Sequence, residues 1–371
     1  MFHLIITIVY TIPNIYLFFR VKQLFISKPY RRFYIPIYLF LALIYPITQT
    51  FSHRDMNLLM HVLSGISGYL LPFFLYLFLL VLLFDLLLLI NLAVRIVPAE
   101  NRKKYSFRLF ALSSLILVSA LAVVAGIINL NTIRTSAYRI EVHKRQAKIE
   151  HLRIVFVSDI HIQQNTRLNF IKQLVSKVNT LQPDLMLYGG DMVEGDSRKE
   201  ATAALESLLR SVQATYGSFG VSGNHEYYGG DGQHDFFRES GIILLADTVV
   251  FIDSSFYLAG RNDEHIHSRE TIQELIGTLP LDIPIILLDH RPTELQEVSL
   301  TGADMQFSGH THNGQLFPIN LITRTIYELS WGYKKIRNTH FFVSSGLRLW
   351  GPQVKTAGKS EIMLVDVYFT P

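Results

Sequence analysis

The chain contains no cysteine. That absence removes disulfides, thiolate metal sites and a cysteine nucleophile together, so any metal chemistry must rest on imidazole and oxygen donors. Charged residues are also sparse, 17% of the total, and long apolar runs crowd the first third of the chain. No internal repeat or low-complexity tract is visible. The first apolar run lacks a basic leading region and a small-residue cleavage site, so it reads as part of the mature chain and not as a signal peptide.

What is present is 49% hydrophobic, with a mean hydropathy of +0.27, a membrane signature. Four apolar stretches, Phe2–Phe19, Tyr34–Phe51, Leu63–Val94 and Leu109–Leu130, lie near or above the roughly 20 residues that span a bilayer as helix, and predict about four transmembrane helices. The third is too long for one untilted span and predicts tilt or an interfacial extension. It carries Asp85 among leucines; with nothing nearby in sequence to pair it, Asp85 reads as a helix-packing or interface residue.

Net charge is +4 and the pI about 9.0, but many basic residues sit in the short loops between these stretches, where they orient helices. No nucleic-acid partner is expected. The loops after the first and third stretches hold Arg20, Lys22, Lys28, Arg31 and Arg32, then Arg95, Arg102, Lys103, Lys104 and Arg108, whereas the second loop offers Arg54 alone. Basic loops stay in the cytoplasm, so both termini and the rest of the chain are expected outside it, although basic residues after the fourth stretch weaken the contrast. The expected organisation is a multi-pass membrane region over 1–130, a polar connector over 131–151 with one strand-like stretch, "YRIEV", and a globular domain over 152–371.

In that domain apolar strand-like runs alternate with helix-period segments, while fewer helices separate the later runs. The pattern predicts an α/β sandwich of two mixed sheets. Five runs end in polar blocks, "SDIH", "GGDMVEG", "SGNHE", "DHRP" and "SGHTH", at the place where open α/β sheets bind ligands. Singly each block is weak: an Asp at a strand end is usually a cap, Gly-Asp a turn and a lone His a satisfied surface or core group. Together they supply Asp159, Asp191, Asn224, His161, His290, His310 and His312, enough donors for two ions sharing a carboxylate. In extended chain residues i and i+2 point the same way, so Asp159 with His161, and His310 with His312, can each face one point. Two ions about 3.5–4 Å apart would take one histidine of the last pair each, with Gly309 letting the backbone turn and approach closely. A donor set without sulfur suits Mn, Fe, Zn or Mg.

These blocks resemble the calcineurin-like metallophosphoesterase family, whose pattern is DxH, GDxxD, GNH(D/E), an isolated H and GHxH. The match runs from about Leu152 to the C-terminus, and "GNHEYYGG", "LAGRND" and "SGHTHNGQLFP" are most similar to its membrane-attached bacterial branch. The resemblance implies a four-layer α/β/β/α sandwich and two divalent ions, Mn foremost. Asp159, His161 and His312 would hold one ion and Asn224, His290 and His310 the other, with Asp191 bridging. Three positions depart from the common form: Glu194 for the second Asp of GDxxD, Glu226 after His225, and Asn313 where the branch often has glycine. The implied reaction is in-line phosphoester or pyrophosphate hydrolysis by a metal-bridging hydroxide, with His225 as general acid and Glu194 holding its other ring nitrogen.

Competing readings are a non-catalytic metal- or phosphate-binding regulatory domain, a pore gated by the domain, and a hydrolase of soluble nucleotides. A site tethered to a membrane meets lipid-linked phosphates at high local concentration, which favours a membrane-lipid substrate. Loops 227–233, 261–267 and 346–355 are the candidate readers of the leaving group.

Overall fold

A computed structural model describes residues 2–51, 58–144, 146–163, 166–194, 199–229 and 233–371. Arg54, and residues 230–232 of the first candidate substrate loop, lie outside the described residues. The chain divides into two compact units, one comprising Met1–Ile128 with Gly351–Thr356, the other Asn129–Trp350 with Ala357–Pro371.

The first unit is helical: α1 (Phe2–Leu24), α2 (Arg31–Phe51), α3 (Leu58–Val94), α4 (Ala99–Lys103) and α5 (Tyr105–Leu130). Helices thus occupy all four apolar stretches, but among the described residues only α3 and α5 are long and apolar enough to cross a membrane. Tyrosine, proline, asparagine, threonine and arginine dilute the first two. Two of the four expected spans are thus long and apolar enough to cross a membrane, and passage of α1 and α2 remains an expectation. At 37 residues, α3 is about 55 Å long against a hydrocarbon core of about 30 Å. Asp85 on α3 has a partner that sequence proximity could not reveal: Arg20 of α1 donates from Nε at 2.8 and 2.9 Å and from Nη2 at 2.6 Å, and the Tyr16 hydroxyl also reaches it. A carboxylate among leucines is tolerated when a bidentate guanidinium shares its charge.

Among the described residues the second unit holds twelve strands in two six-stranded sheets. The first sheet contains β1 (Ile133–His143), β2 (His151–Val157), β3 (Leu185–Tyr188), β4 (Ser218–Gly220), β5 (Ile243–Leu244) and β12 (Ser360–Thr370), ordered β1-β12-β2-β3-β4-β5. The second contains β6 (Thr248–Ile252), β7 (Phe256–Gly260), β8 (Ile285–Leu288), β9 (Met305–Ser308), β10 (Gly332–Ile336) and β11 (Thr339–Val343), ordered β10-β11-β9-β8-β7-β6. Strands β2, β3, β4 and β5 run parallel, as do β7, β8, β9 and β11, while β12 against β2 and the outer pairs β6/β7 and β10/β11 are antiparallel.

Strand alternation builds the layers. On β2, Ile154 and Phe156 enter the core between the sheets with Leu187, Leu288, Phe307 and Phe342. Val155 and Val157 face the opposite way, against Leu174 of α6 (Leu168–Leu181), Leu205 of α7 (Lys199–Arg210) and Phe237 of α9 (Gln233–Glu239). The second sheet's outer face, with Leu287 and Phe341, packs on α10 (Ile272–Ile276) and α11 (Leu295–Val298). The result is α/β/β/α, with central strands apolar on both faces. Two further helices, α8 (Asn224–Gly229) and α12 (Ile319–Ile326), follow site loops.

The connector expected over 131–151 needs correction. Eleven of its residues form β1, paired in parallel along its length with β12. One face of this edge strand is exposed, and its polar residues gave the segment a linker's composition.

Candidate metal centre

Each polar block lies at or just beyond the C-terminal end of its strand, where the backbone turns. Asp159 and His161 follow β2 with φ of 55° and 47°, Asp191 follows β3 with φ 52°, and His310 and His312 follow β9 with φ 68° and 48°. Asp159 and His161 thus face one point through a left-handed turn and not through the pleat of extended chain, while His310 and His312 turn towards different donor groups. Such conformations in non-glycine residues cost energy and collect at functional sites. Gly309 supplies space, because a Cβ there would collide with Ser158 Oγ and Asp159 Oδ2. Asn313, where the branch often has glycine, has φ 47°, and asparagine tolerates that region well.

Among the described residues two donor clusters divide the expected ligands: Asp159, His161 and His312 form one and Asp191, His290 and His310 the other, each with ligand atoms close enough to hold a metal ion. A third group of the same kind, His161, Asp191 and His225, overlaps both. His161 Nε2 and His312 Nε2 are 3.1 Å apart, and His312 Nε2 is 3.5 Å from Asp159 Oδ1. Two imidazole nitrogens bound at right angles to one cation at about 2.1 Å would stand about 3.0 Å apart, so the spacing fits. In the second cluster His290 Nε2 is 3.2 Å from Asp191 Oδ2. Asp191 Oδ2 is also 3.9 Å from His161 Nε2, which puts this carboxylate between the clusters.

The surroundings fix these donors. His290 Nδ1 donates to Gly189 O at 2.6 Å, which leaves the Nε2 lone pair for a ligand. The His310 amide donates to both Asp159 oxygens at 3.1 Å, and the His225 amide to Asp191 Oδ1 at 2.9 Å. Asn224 Oδ1 and His290 Nε2 are buried without an aligned hydrogen-bond partner, a costly state that a cation would relieve. The residues present thus fit two divalent ions.

Glu194 touches His161 as well as His225, and Glu226 binds backbone amides. Glu194 Oε1 lies 2.8 Å from His161 Nδ1 and 3.3 Å from His225 Nδ1, so its shorter contact is to an expected ligand; that contact is an ion pair outside ideal hydrogen-bond alignment. Buried Glu226 accepts the amides of Asp191, Met192, Val193 and Gly223 at 2.5–3.0 Å and so clamps the Asp191 turn. The turn that opens the candidate substrate loop 346–355 also lies against the metal ligands: Gly346, with φ +78°, approaches so closely that a Cβ would meet Asp159 Cβ and His312 Nδ1 at 2.9 Å. The amides of Leu347 and Arg348 bond to the carbonyls of Ser158 and Asp159 at 2.9 Å. Its signal was one more apolar run, "HFFVSSG", ending in glycine.

Electrostatics reflect crowding of charge in a dry site. Burial pushes the Asp159 carboxyl up, with the Asp191 charge adding to it. Asp191 pays the same burial penalty, yet the charges of His290, His161 and His225 and the His290 hydrogen bond hold it well below its ordinary range. Burial opposes charge on His290, but Asp191 and Asp159 raise it to about 10; His310, buried beside His290 and Arg291, falls to about 3. Burial also opposes charge on Glu194, which its close contacts with the His161 and His225 rings bring down to about 2. His225 is raised, burial working against it and Glu194 and Asp191 prevailing.

Two facing mixed sheets with a pair of His/Asp clusters at their strand ends define a metal-site α/β sandwich. The chain belongs to the calcineurin-like phosphoesterase family, whose model matches residues 152–314. It is 31% identical over 265 residues to an uncharacterized metallophosphoesterase of Campylobacter jejuni, covering 68% of each chain. It is 30% identical over 220 residues to one of Helicobacter pylori, covering 57% of this chain and 59% of that one; the chain therefore spans less than two thirds of the Helicobacter relative. A transmembrane protein with metallophosphoesterase domain from Danio rerio is 27% identical over 276 residues, 69% of this chain and 62% of that one. Family membership implies metal-dependent phosphoesterase chemistry with two divalent metals, and the relative named as transmembrane accords with membrane association.

Proposed function

We propose that the chain is a membrane-anchored phosphoesterase requiring two divalent cations, one held by Asp159, His161 and His312 and the other by Asn224, His290 and His310, with Asp191 shared. The observation that carries this is the pair of donor clusters meeting at Asp191, whose Oδ1 accepts the amide of the residue after Asn224, with Asn224 Oδ1 itself buried and unpartnered. When bound, the cations would lower the pKa of a water towards neutrality and neutralise phosphoryl oxygens. Manganese heads the candidates, with iron, zinc and magnesium behind it.

The chain's own contribution begins with His225. Its ring stands edge-on to His161 at 4.8 Å, and its side chain keeps about a fifth of its surface exposed. Glu194 at Nδ1 leaves Nε2 to give a proton to the departing oxygen, and the raised pKa keeps that proton available. Glu226 holds the Asp191 turn so that its carboxylate serves both clusters. Tethering favours a phospholipid or lipid-sugar phosphate over soluble nucleotides, and the basic loops favour an extracytoplasmic domain.

The test is a substrate panel of phosphomonoesters, diesters, pyrophosphates and phospholipids on the purified full chain with added Mn. Hydrolysis abolished by chelation and restored by metal supports the reading. Tight binding of phosphate esters without turnover under any metal would replace it with a binding domain.

A further inference from the structure

Helix α12 is inverted relative to an ordinary surface helix. Its buried side chains are polar, Asn320 and Thr323 at 8% exposure each, while Ile322 and Ile326 are 61% and 68% exposed. Ile319, Ile322 and Ile326 follow one another at helical spacing along one stripe, and Phe317 just before the helix is exposed as well. The polar face is held where it is by the metal loop. A Cβ on Gly314 would meet Thr323 Oγ1 and the Asn320 amide at 2.6 and 2.7 Å, and the Ile319 amide donates to Leu316 O at 2.7 Å. Tyr327, which caps the helix, has its ring 6.3 Å from that of His310. An apolar stripe is thus fixed to the rim of the metal centre.

Charge near this stripe selects its partner. From Phe317 to Arg337 there are four basic residues, Arg324, Lys334, Lys335 and Arg337, against one acid, Glu328. Lys334 Nζ, bonded to Glu328 at 2.9 Å, ties the basic hairpin of β10 to the end of α12; Arg324, Lys335 and Arg337 are exposed. Apolar side chains flanked by lysine and arginine suit a headgroup region rich in anionic lipid, where a helix lies in the interface plane.

We propose that α12 docks in the interface of an anionic bilayer, with Ile319, Ile322 and Ile326 among the upper acyl carbons and the basic residues at headgroup level. The docked helix brings the metal loop to the depth of lipid phosphates, and this rests on the membrane-anchored reading above. Lipid-linked phosphates are then drawn from the bilayer surface into a site whose rim already lies in it.

The absence of cysteine makes the test clean. Ile322→Cys and, separately, Ile326→Cys carry an environment-sensitive fluorophore on the full chain, reconstituted in phosphatidylcholine–phosphatidylglycerol vesicles containing brominated acyl chains. Gln173→Cys on the exposed face of α6 and Leu83→Cys on α3 serve as references. Quenching at 322 and 326 at least about threefold above that at 173, and weaker in vesicles without phosphatidylglycerol, is expected for side chains about 5–10 Å into the boundary. Quenching at 83 with 322 and 326 no higher than 173 overturns the docking and leaves anchoring intact. Absence of quenching at 83 as well overturns the anchoring and the docking with it. A blue shift at 322 that ignores the brominated lipid and vanishes on dilution of the chain assigns the stripe to a second copy, and also overturns the proposal.

Discussion

Glu194→Gln separates two roles that one carboxylate could play. The substitution keeps shape and removes charge from a group 2.8 Å from His161 Nδ1 and 3.3 Å from His225 Nδ1. If its main work is on His161, the charge it supplies makes that imidazole a more basic ligand. Exchanging a charged for a neutral acceptor at the shorter contact costs about 1–2 kcal/mol, so affinity for the cation in the His161 cluster should fall about 10-fold, and no more than about 100-fold. Turnover at saturating metal should fall less, because the His225 contact is longer and an amide oxygen can still accept. The assay is competition of the purified variant against a chelator of known affinity, read by metal content, with turnover measured at metal concentrations that fill both sites. Unchanged metal affinity with collapsed turnover would mean that Glu194 serves His225 and not His161. No change in either would show that the short contact carries no function.

Other outcomes follow from the same geometry. Asp191→Asn should cost more metal and turnover than loss of either terminal ligand, His312 or His310, because both clusters lose a charged partner; elemental analysis with kinetics checks it, and near-normal turnover would refute the shared carboxylate. His225→Gln should keep both metals and lose about 10²-fold or more in turnover, less for substrates with good leaving groups; loss of metal would make His225 a ligand. Metal uptake near pH 7.5 should release close to one proton from His290, since a group raised to about 10 is protonated without metal and must be neutral to ligate; affinity should therefore weaken as pH falls, and a pH indicator during titration reads the release. Away from the site, burial lifts Asp304 to about 6 against the opposing pull of Lys144, 3.1 Å away. The folded chain thus keeps this proton to higher pH than the unfolded one, so the contribution of Asp304 to stability is greatest below pH 4 and declines by up to about 3 kcal/mol as pH rises to about 6. Melting curves of Asp304→Asn should lack that decline.

The sandwich was legible because its strands end in chemistry. Apolar runs with a full hydrophobic face on each side, such as "LRIVFV" and "IPIILL", can only be central strands, and the blocks behind them mark the carboxyl edge. Strand β1 was legible only as the stretch "YRIEV" within a connector, for the opposite reason: as an edge strand it buries one face only. The seven candidate ligands could be listed from residue type and order, and the structure brings six of them into two clusters, with Asn224 at the start of α8 next to His225, whose amide binds Asp191. Their conformation could not be read, since a left-handed turn at Asp or His leaves no trace in composition. The partners of Asp85 and Glu226 were hidden by sequence distance, Arg20 lying 65 residues from Asp85 and the Asp191 turn 33–35 residues from Glu226. α12 was not anticipated from the sequence, and its isoleucines face outward.

Five of the seven candidate ligands occupy the left-handed region, where each L-residue costs about 1–2 kcal/mol. Summed, that is about 5–10 kcal/mol, comparable with the whole net stability of a typical domain. The sheets must therefore be stable enough to hold the rim in a shape it would otherwise abandon. The order of failure is set by this imbalance: heating, chelation or a cavity deep in the inter-sheet core should loosen the rim while the strands beneath remain paired. Damage far from the metals, at Phe156 or Phe307 for example, would then register first as lost metal occupancy and only later as lost fold.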